Sequence, residues 1–180
     1  MTRPVLIAGI GNMFLGDDAF GCEVIRRLSA RYPSGTESAK LRDFGVNVRA
    51  LGYVLAERST SGRAGTTVIV DAVETGAEPG SVQLFDLSAP ELQISISLSH
   101  HALGLGDALT LAVALGARLH SIFLLGCEPA SFEPSQSCGL TAPVQSAALR
   151  CVELLQRLIE RPGEDLVGLC RSERQASKTL

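Results

Sequence analysis

Val5-Leu6-Ile7-Ala8 is an unbroken apolar run that stops at Gly9-Ile10-Gly11-Asn12. A strand with one wet face would alternate, so a run without polar residues that ends at a glycine turn reads as a strand buried on both faces. From Asp18 to about Arg31 the apolar residues Phe20, Val24, Ile25 and Leu28 recur at helical spacing. Glu23, Arg26, Arg27 and Arg31 take the other side, and Pro33-Ser34-Gly35 closes the segment. A doubly buried strand that leads directly into an amphipathic helix belongs in an α/β protein with a parallel sheet.

The alternation continues. Leu41 to Phe44 reads as a weak second strand, and Val48 to Glu57 as a helix with Leu51, Val54 and Leu55 inward. Thr66 to Val73 is rich in β-branched residues and is expected in the middle of the sheet. Glu78-Pro79-Gly80 forms a turn, and Val82 to Leu87 alternates as a hairpin strand does, so one antiparallel member is expected. Leu103 to Leu119 is an Ala/Leu-rich helix, His120 to Leu125 a further strand, and Ala142 to Ile159 a final helix that stops before Pro162-Gly163. The expected fold is α/β, a three-layer α/β/α sandwich around a mostly parallel twisted sheet of about five strands. Residues 1–161 read as one domain and residues 162–180 as a polar, mobile tail.

Composition narrows the function. With 180 residues the chain buries a core without disulfides or a structural metal. Its 16 basic and 19 acidic residues leave a net charge of −3, and the basic residues are scattered, so no nucleic-acid footprint exists. The cysteines Cys22, Cys127, Cys138, Cys151 and Cys170 show no Cys-x-x-Cys spacing and read as reduced thiols filling core. The opening apolar run is too short for a signal-peptide core or a membrane span. A cytoplasmic monomer with no membrane insertion is expected.

The chemistry-bearing residues cluster where strands end. Asn12, Asp17 and Asp18 follow the first strand, Asp43 the second, Asp71 and Glu74 the third, and Glu128 the last, while His100 and His101 precede a helix. Gly9-Ile10-Gly11 invites a dinucleotide-binding reading with Asp43 as the ribose acid. Phe14 stands where the third glycine of that pattern belongs, and Asp17 and Asp18 would repel a pyrophosphate. No Gly-Lys-Ser/Thr loop and no Gly-x-Ser-x-Gly elbow occurs. Asp18, Asp71 and His101 could instead offer a divalent cation two oxygens and one nitrogen, with an open position for substrate. Plainer readings stand beside this: Asp18 caps the helix that starts near it, and His120 is a strand-edge residue. Asp71 at the end of an apolar strand needs a cation, a donor network or a raised pKa.

Four ordered blocks resemble the signature segments of the NiFe-hydrogenase maturation endopeptidases. They are Gly9-Ile10-Gly11-Asn12-Met13-Phe14-Leu15-Gly16-Asp17-Asp18-Ala19-Phe20-Gly21, then Val70-Asp71-Ala72, then Ser99-His100-His101-Ala102-Leu103-Gly104-Leu105, then Gly126-Cys127-Glu128-Pro129. Asp43-Phe44-Gly45-Val46 is similar to a further block, usually Asp-x-Gly-Thr, tied to substrate recognition. The resemblance implies an endopeptidase that removes the C-terminal extension of a hydrogenase large-subunit precursor after nickel insertion. Asp18, Asp71 and His101 are then the metal-contacting and catalytic positions, and Asp43, Gly45 and Glu128 take part in recognition. The nickel is implied to be the substrate's own, with the free enzyme metal-free. Ala19, Val46 and His100 depart from the residues usual in these blocks, and none of the three removes a ligand. A non-catalytic chaperone that checks the large subunit for nickel is the alternative, with nucleotide binding a third reading. The surface docking the precursor should include the Phe14 region, the loop after Asp43 and residues 128–140.

Overall fold

A computed structural model describes residues 3–33, 35–62, 65–88, 103–133, 139–161 and 166–170. Five strands, β1 (Val5–Ile10), β2 (Ala39–Gly45), β3 (Thr67–Ala72), β4 (Val82–Asp86) and β5 (Ile122–Cys127), form one sheet in the order β2-β1-β3-β5-β4. All neighbours pair parallel except β4, which runs antiparallel to β5. Helices α1 (Phe20–Arg31) and α4 (Ala142–Glu160) cover one face, and α2 (Val48–Thr60) and α3 (Leu103–Ala114) the other. The expected α/β/α sandwich is therefore the observed architecture.

The pleat of the central strands divides the core in two. Ile7, Val68 and Val70 point toward α1 and α4, where they meet Val24, Leu28 and Leu155. Leu6, Ala8, Ile10 and Ile69 point toward α2 and α3, where they meet Leu51, Leu55 and Leu109. Every residue of β3 is buried, as its β-branched run requires of a strand covered on both faces. Burying a side chain of this size stabilises by about 1.5–3 kcal/mol, so the face of α1 carrying Phe20, Val24, Ile25 and Leu28 anchors that helix.

Boundaries differ from expectation where local chemistry overrides periodicity. The first helix begins at Phe20, after a short 3-10 turn over Gly16–Ala19. Helix α3 stops at Ala114 although Leu115, Ala117 and Leu119 continue the apolar pattern. Gly116, at φ 88°, donates to Val113 O, and Ala117 N donates to Ala112 O, the two bonds of a glycine-terminated helix end. Strand β5 accordingly starts at Ile122, leaving His120 exposed before it, and β2 starts at Ala39, which is buried. Within the expected tail, residues 166–170 are helical, and Leu166 and Leu169 are buried against the first core. A five-residue segment is too short to show periodicity, so its docking is decided by contact alone. No helix among the described residues is long and apolar enough to cross a membrane.

Glycine lets α1 sit close to the sheet. A Cβ on Gly21 would lie 2.2 Å from Val70 O and 2.3 Å from Ile10 O, so the first turn of α1 packs on backbone of both β3 and β1. The Gly21→Ala substitution should lower stability by about 3 kcal/mol, toward the upper end for overpacking because the clash is with backbone. A urea midpoint equal to that of the unmodified chain would contradict this close approach.

Candidate active site

The switch in chain direction lies between β1 and β3, since the chain leaves β1 outward to β2 and returns on the other side to β3. Open α/β sheets bind ligands outside the carboxyl ends of the strands at such a point. Here the turn after β1 carries Asp18, and β3 ends on Asp71-Ala72. The two carboxylates line one small cleft of about 150 Å³ with Gly11, Gly45, Val48 and Leu105.

Asp18 does not cap α1. Its Oδ2 turns back to accept from Asn12 N at 2.8 Å, while Asn12 Oδ1 accepts from Phe14 N at 3.0 Å. The loop is thereby folded on itself, with Met13 and Phe14 held outward at 61% and 74% exposure. Gly11, at φ 131°, fits because a Cβ there would lie 1.9 Å from Asp18 O. The Asn12 amide that a pyrophosphate would need is already engaged by a carboxylate, which removes the physical basis of the nucleotide reading.

Asp71 is buried, and one oxygen accepts from the neighbouring Ala72 N at 2.9 Å. Burial first, and then the charge on Asp18, raise its pKa well above the ordinary value, against the opposing bond from Ala72 N. The cleft thus holds a carboxyl that favours its proton beside a second carboxylate.

Asp17 points the other way. It is fully enclosed, and its carboxylate accepts from Ala130 N at 2.8 Å, Ser131 N at 3.1 Å, Thr141 N at 2.7 Å and Thr141 Oγ1 at 2.9 Å. Its own N–H donates to Ser131 O at 3.0 Å. The residue ties the β1 turn to the segment after β5 and to the start of α4. Sequence reading assigned it no role. The Asp17-Asp18 doublet was the available signal, since neighbouring residues in a 3-10 turn point in different directions.

The recognition residues separate. At the end of β2 the register with β1 slips, so that Gly9 faces Asp43 and Ile10 faces Gly45, leaving Phe44 as an extra residue. Asp43 is exposed, its Oδ1 accepting from Gly45 N at 2.9 Å, and it lines a second, larger cavity of about 610 Å³ between α1 and the start of α4. Gly45 lines the small cleft. Glu128 lines neither cavity: it accepts from Thr75 N and Thr75 Oγ1, both at 2.7 Å, and from Gly76 N at 3.2 Å. Burial works to raise its pKa, but these donors outweigh it and hold the carboxyl below its usual range. These bonds support the loop after β3. Glu74 is exposed on that same loop.

Cys22, Cys127 and Cys151 are buried free thiols, in keeping with a core role, and Cys170 is partly buried. Cys22 nevertheless lies under the acidic edge, its Sγ donating to Gly11 O at 3.4 Å. Burial, followed by Asp43 and then Asp18 and Asp71, pushes its pKa up to about 12, so it is a thiol rather than a nucleophilic thiolate at neutral pH. His100, His101 and Cys138 lie outside the described residues. Gly104 and Leu105, shortly after His101 in the chain, line the cleft of Asp18 and Asp71. Among the described residues no three His, Cys, Asp or Glu side chains come together as a metal site.

Two stability outcomes follow from these carboxylates. Asp17→Asn keeps shape but turns an NH2 toward backbone donors, and should cost about 3 kcal/mol, read as a fall in the urea midpoint. For Asp71 the folded-state pKa lies above the unfolded value of 3.8, so the folded state binds the proton more tightly. Its contribution therefore becomes unfavourable as pH rises from the unfolded value through the folded one. Asp71→Asn should melt higher than the unmodified chain at neutral pH, with the difference vanishing in acid below the unfolded pKa. A melting difference independent of pH would refute the assignment.

Comparison with known proteins gives a consistent picture. The family model described as hydrogenase maturation protease matches residues 22–158. A hydrogenase expression/formation protein, HoxM of Azotobacter vinelandii, is 32% identical over 137 residues, covering 74% of this chain and 62% of the relative. HupM of Azotobacter chroococcum is 32% identical over 132 residues, 72% of this chain and 59% of its own. The match thus spans less than two thirds of these relatives' length. Among solved structures, a hydrogenase 2 maturation peptidase from a Thaumarchaeota archaeon is 29% identical, with a TM-score of 0.62 and coverage of 88% of this chain and 99% of the other. The hydrogenase maturating endopeptidase HybD of Escherichia coli, at 24% identity and TM-score 0.69, covers 89% of this chain and 94% of its own, and shares the fold.

Proposed function

The chain belongs to the hydrogenase maturation protease family, and on that premise we propose that it is a cytoplasmic endopeptidase cutting the C-terminal extension from a NiFe-hydrogenase large-subunit precursor. The observation that carries the reading is the pairing of Asp18 and Asp71 in one cleft at the switch point of the sheet. A peptide bond is cleaved when water adds to the carbonyl carbon, the C–N bond breaks and the amine leaves with a proton. Two carboxyl groups of unlike proton affinity facing the same space can divide these tasks, the ionised one taking a proton from water and the protonated one supplying the leaving amine.

On this reading nickel enters with the substrate. Asp18 and Asp71 offer it oxygens and His101 a nitrogen, and nickel held by the precursor's thiolates gains ligands only when the metal has been inserted. The exposed apolar side chains Met13, Phe14 and Val46 stand around the same edge and supply a docking rim for the precursor. Asp43 and Gly45, at the turn that ends β2, lie on the substrate's path.

The test is mass spectrometry of the precursor, nickel-loaded or nickel-free, after incubation with the protein and its variants. Loss of a short C-terminal peptide is expected only with nickel. Asp18→Asn, Asp71→Asn and His101→Gln should each slow that cleavage by at least about a hundredfold, the scale of a lost acid–base group. Retained cleavage in all three variants refutes the site. A stable nickel-dependent complex with no mass change would instead identify a checking chaperone.

A further inference from the structure

The larger cavity, of about 610 Å³, has no part in the acid–base pair, yet it adjoins it. Asp43 lines this cavity and Gly45 the Asp18 and Asp71 cleft, and Ala19, next to Asp18, lines the cavity too, so the turn at the end of β2 and the loop after β1 separate the two. That turn is low. A Cβ on Gly45 would find nothing nearer than Gly11 O at 3.9 Å, and Gly11 itself carries no side chain. An extended polypeptide crossing the small cleft therefore meets no obstructing side chain at these two positions before it enters the larger one.

The lining suits a peptide main chain. Ala19, Cys22 and Leu140 give an apolar surface, with Arg27 on one wall and Gln145 on the other. The α1 wall is preorganised: Glu23 accepts from Arg26 Nε at 2.6 Å and Nη2 at 2.8 Å, and from Arg27 Nε at 2.6 Å. This leaves the Arg27 guanidinium held by one nitrogen, with its other N–H groups as donors. Gln145 is exposed and carries an amide donor on the facing helix. Donors on two walls above an apolar floor match the carbonyls and small side chains of an extended strand.

We propose that this groove is the peptide-binding subsite of the enzyme, holding the substrate segment next to the scissile bond by hydrogen bonds to its main chain. The inference rests on the endopeptidase reading and deepens it. The substrate class is an extended, uncharged or weakly charged segment, because Glu23 already balances one of the two arginines and Asp43 stands at the mouth.

The test measures precursor cleavage kinetics with the full chain and nickel-loaded precursor. Gln145→Trp, which fills the groove from an exposed helix position, should raise KM about tenfold while kcat stays within about twofold, the signature of lost substrate binding rather than lost chemistry. Arg27→Ala should move KM in the same direction. Ser146→Trp, exposed on the same helix but not lining the groove, should leave KM unchanged and so reports the effect of the bulky residue alone. A photo-crosslinking residue at position 145 should capture the C-terminal segment of the precursor. Normal cleavage by the unmodified chain with unchanged KM in Gln145→Trp overturns the groove and leaves the endopeptidase reading standing. Absence of cleavage by the unmodified chain overturns both.

Discussion

The carboxylate of Asp17 collects four hydrogen bonds at the centre of three chain segments, and the sheet edge that carries Asp18 and Asp71 is assembled around it. An enclosed charge is tolerated only where fixed donors replace water, and here backbone N–H groups of Ala130, Ser131 and Thr141 do so. Because Asp18 is the next residue, fixing Asp17 also fixes the direction in which Asp18 leaves the backbone. The same contacts hold Leu140 and the first turn of α4 opposite α1, which creates the groove. One buried carboxylate thus sets the relative position of the Asp18 and Asp71 cleft and the larger cavity.

Asp71 is the opposite case. It lies at the end of the most completely buried strand, where the adjacent Ala72 N donates to it. A carboxyl in that setting resists ionisation and weakens the fold at neutral pH, a cost that packing alone would remove. Such a cost is characteristic of working sites, where a group is held ready for a partner that arrives later. The fold bears it because two hydrophobic layers, anchored by β1 and β3, hold the strand end in place whatever the protonation state of Asp71.

The architecture was readable from periodicity because both faces of β1 and β3 must be apolar and each helix must present one stripe. The ends of elements were less so. Gly116 ends α3 within an apolar pattern that continues to Leu119, and Asp18 looks like a cap but bonds to Asn12. The sequence brought Asp18 and Asp71 to one sheet edge, and the observed order, with β1 beside β3, puts them in one cleft. Glu128 shows where that logic stops: a residue at the right edge can still turn toward the donors of its neighbouring loop, Thr75 and Gly76.

By itself the sequence determined the α/β/α class, the sheet edge on which polar groups gather and the family through its ordered blocks, all of which depend on local pattern and chain order. Tertiary structure decided which of two neighbouring acids serves the cleft and which serves the fold. It also decided that the slip at the end of β2 sends Asp43 and Gly45 into different cavities. The physical reason is that hydrogen-bond partners are chosen by distance in space. The donors that hold Asp17 are 113 to 124 residues away along the chain, beyond the reach of any periodicity or propensity.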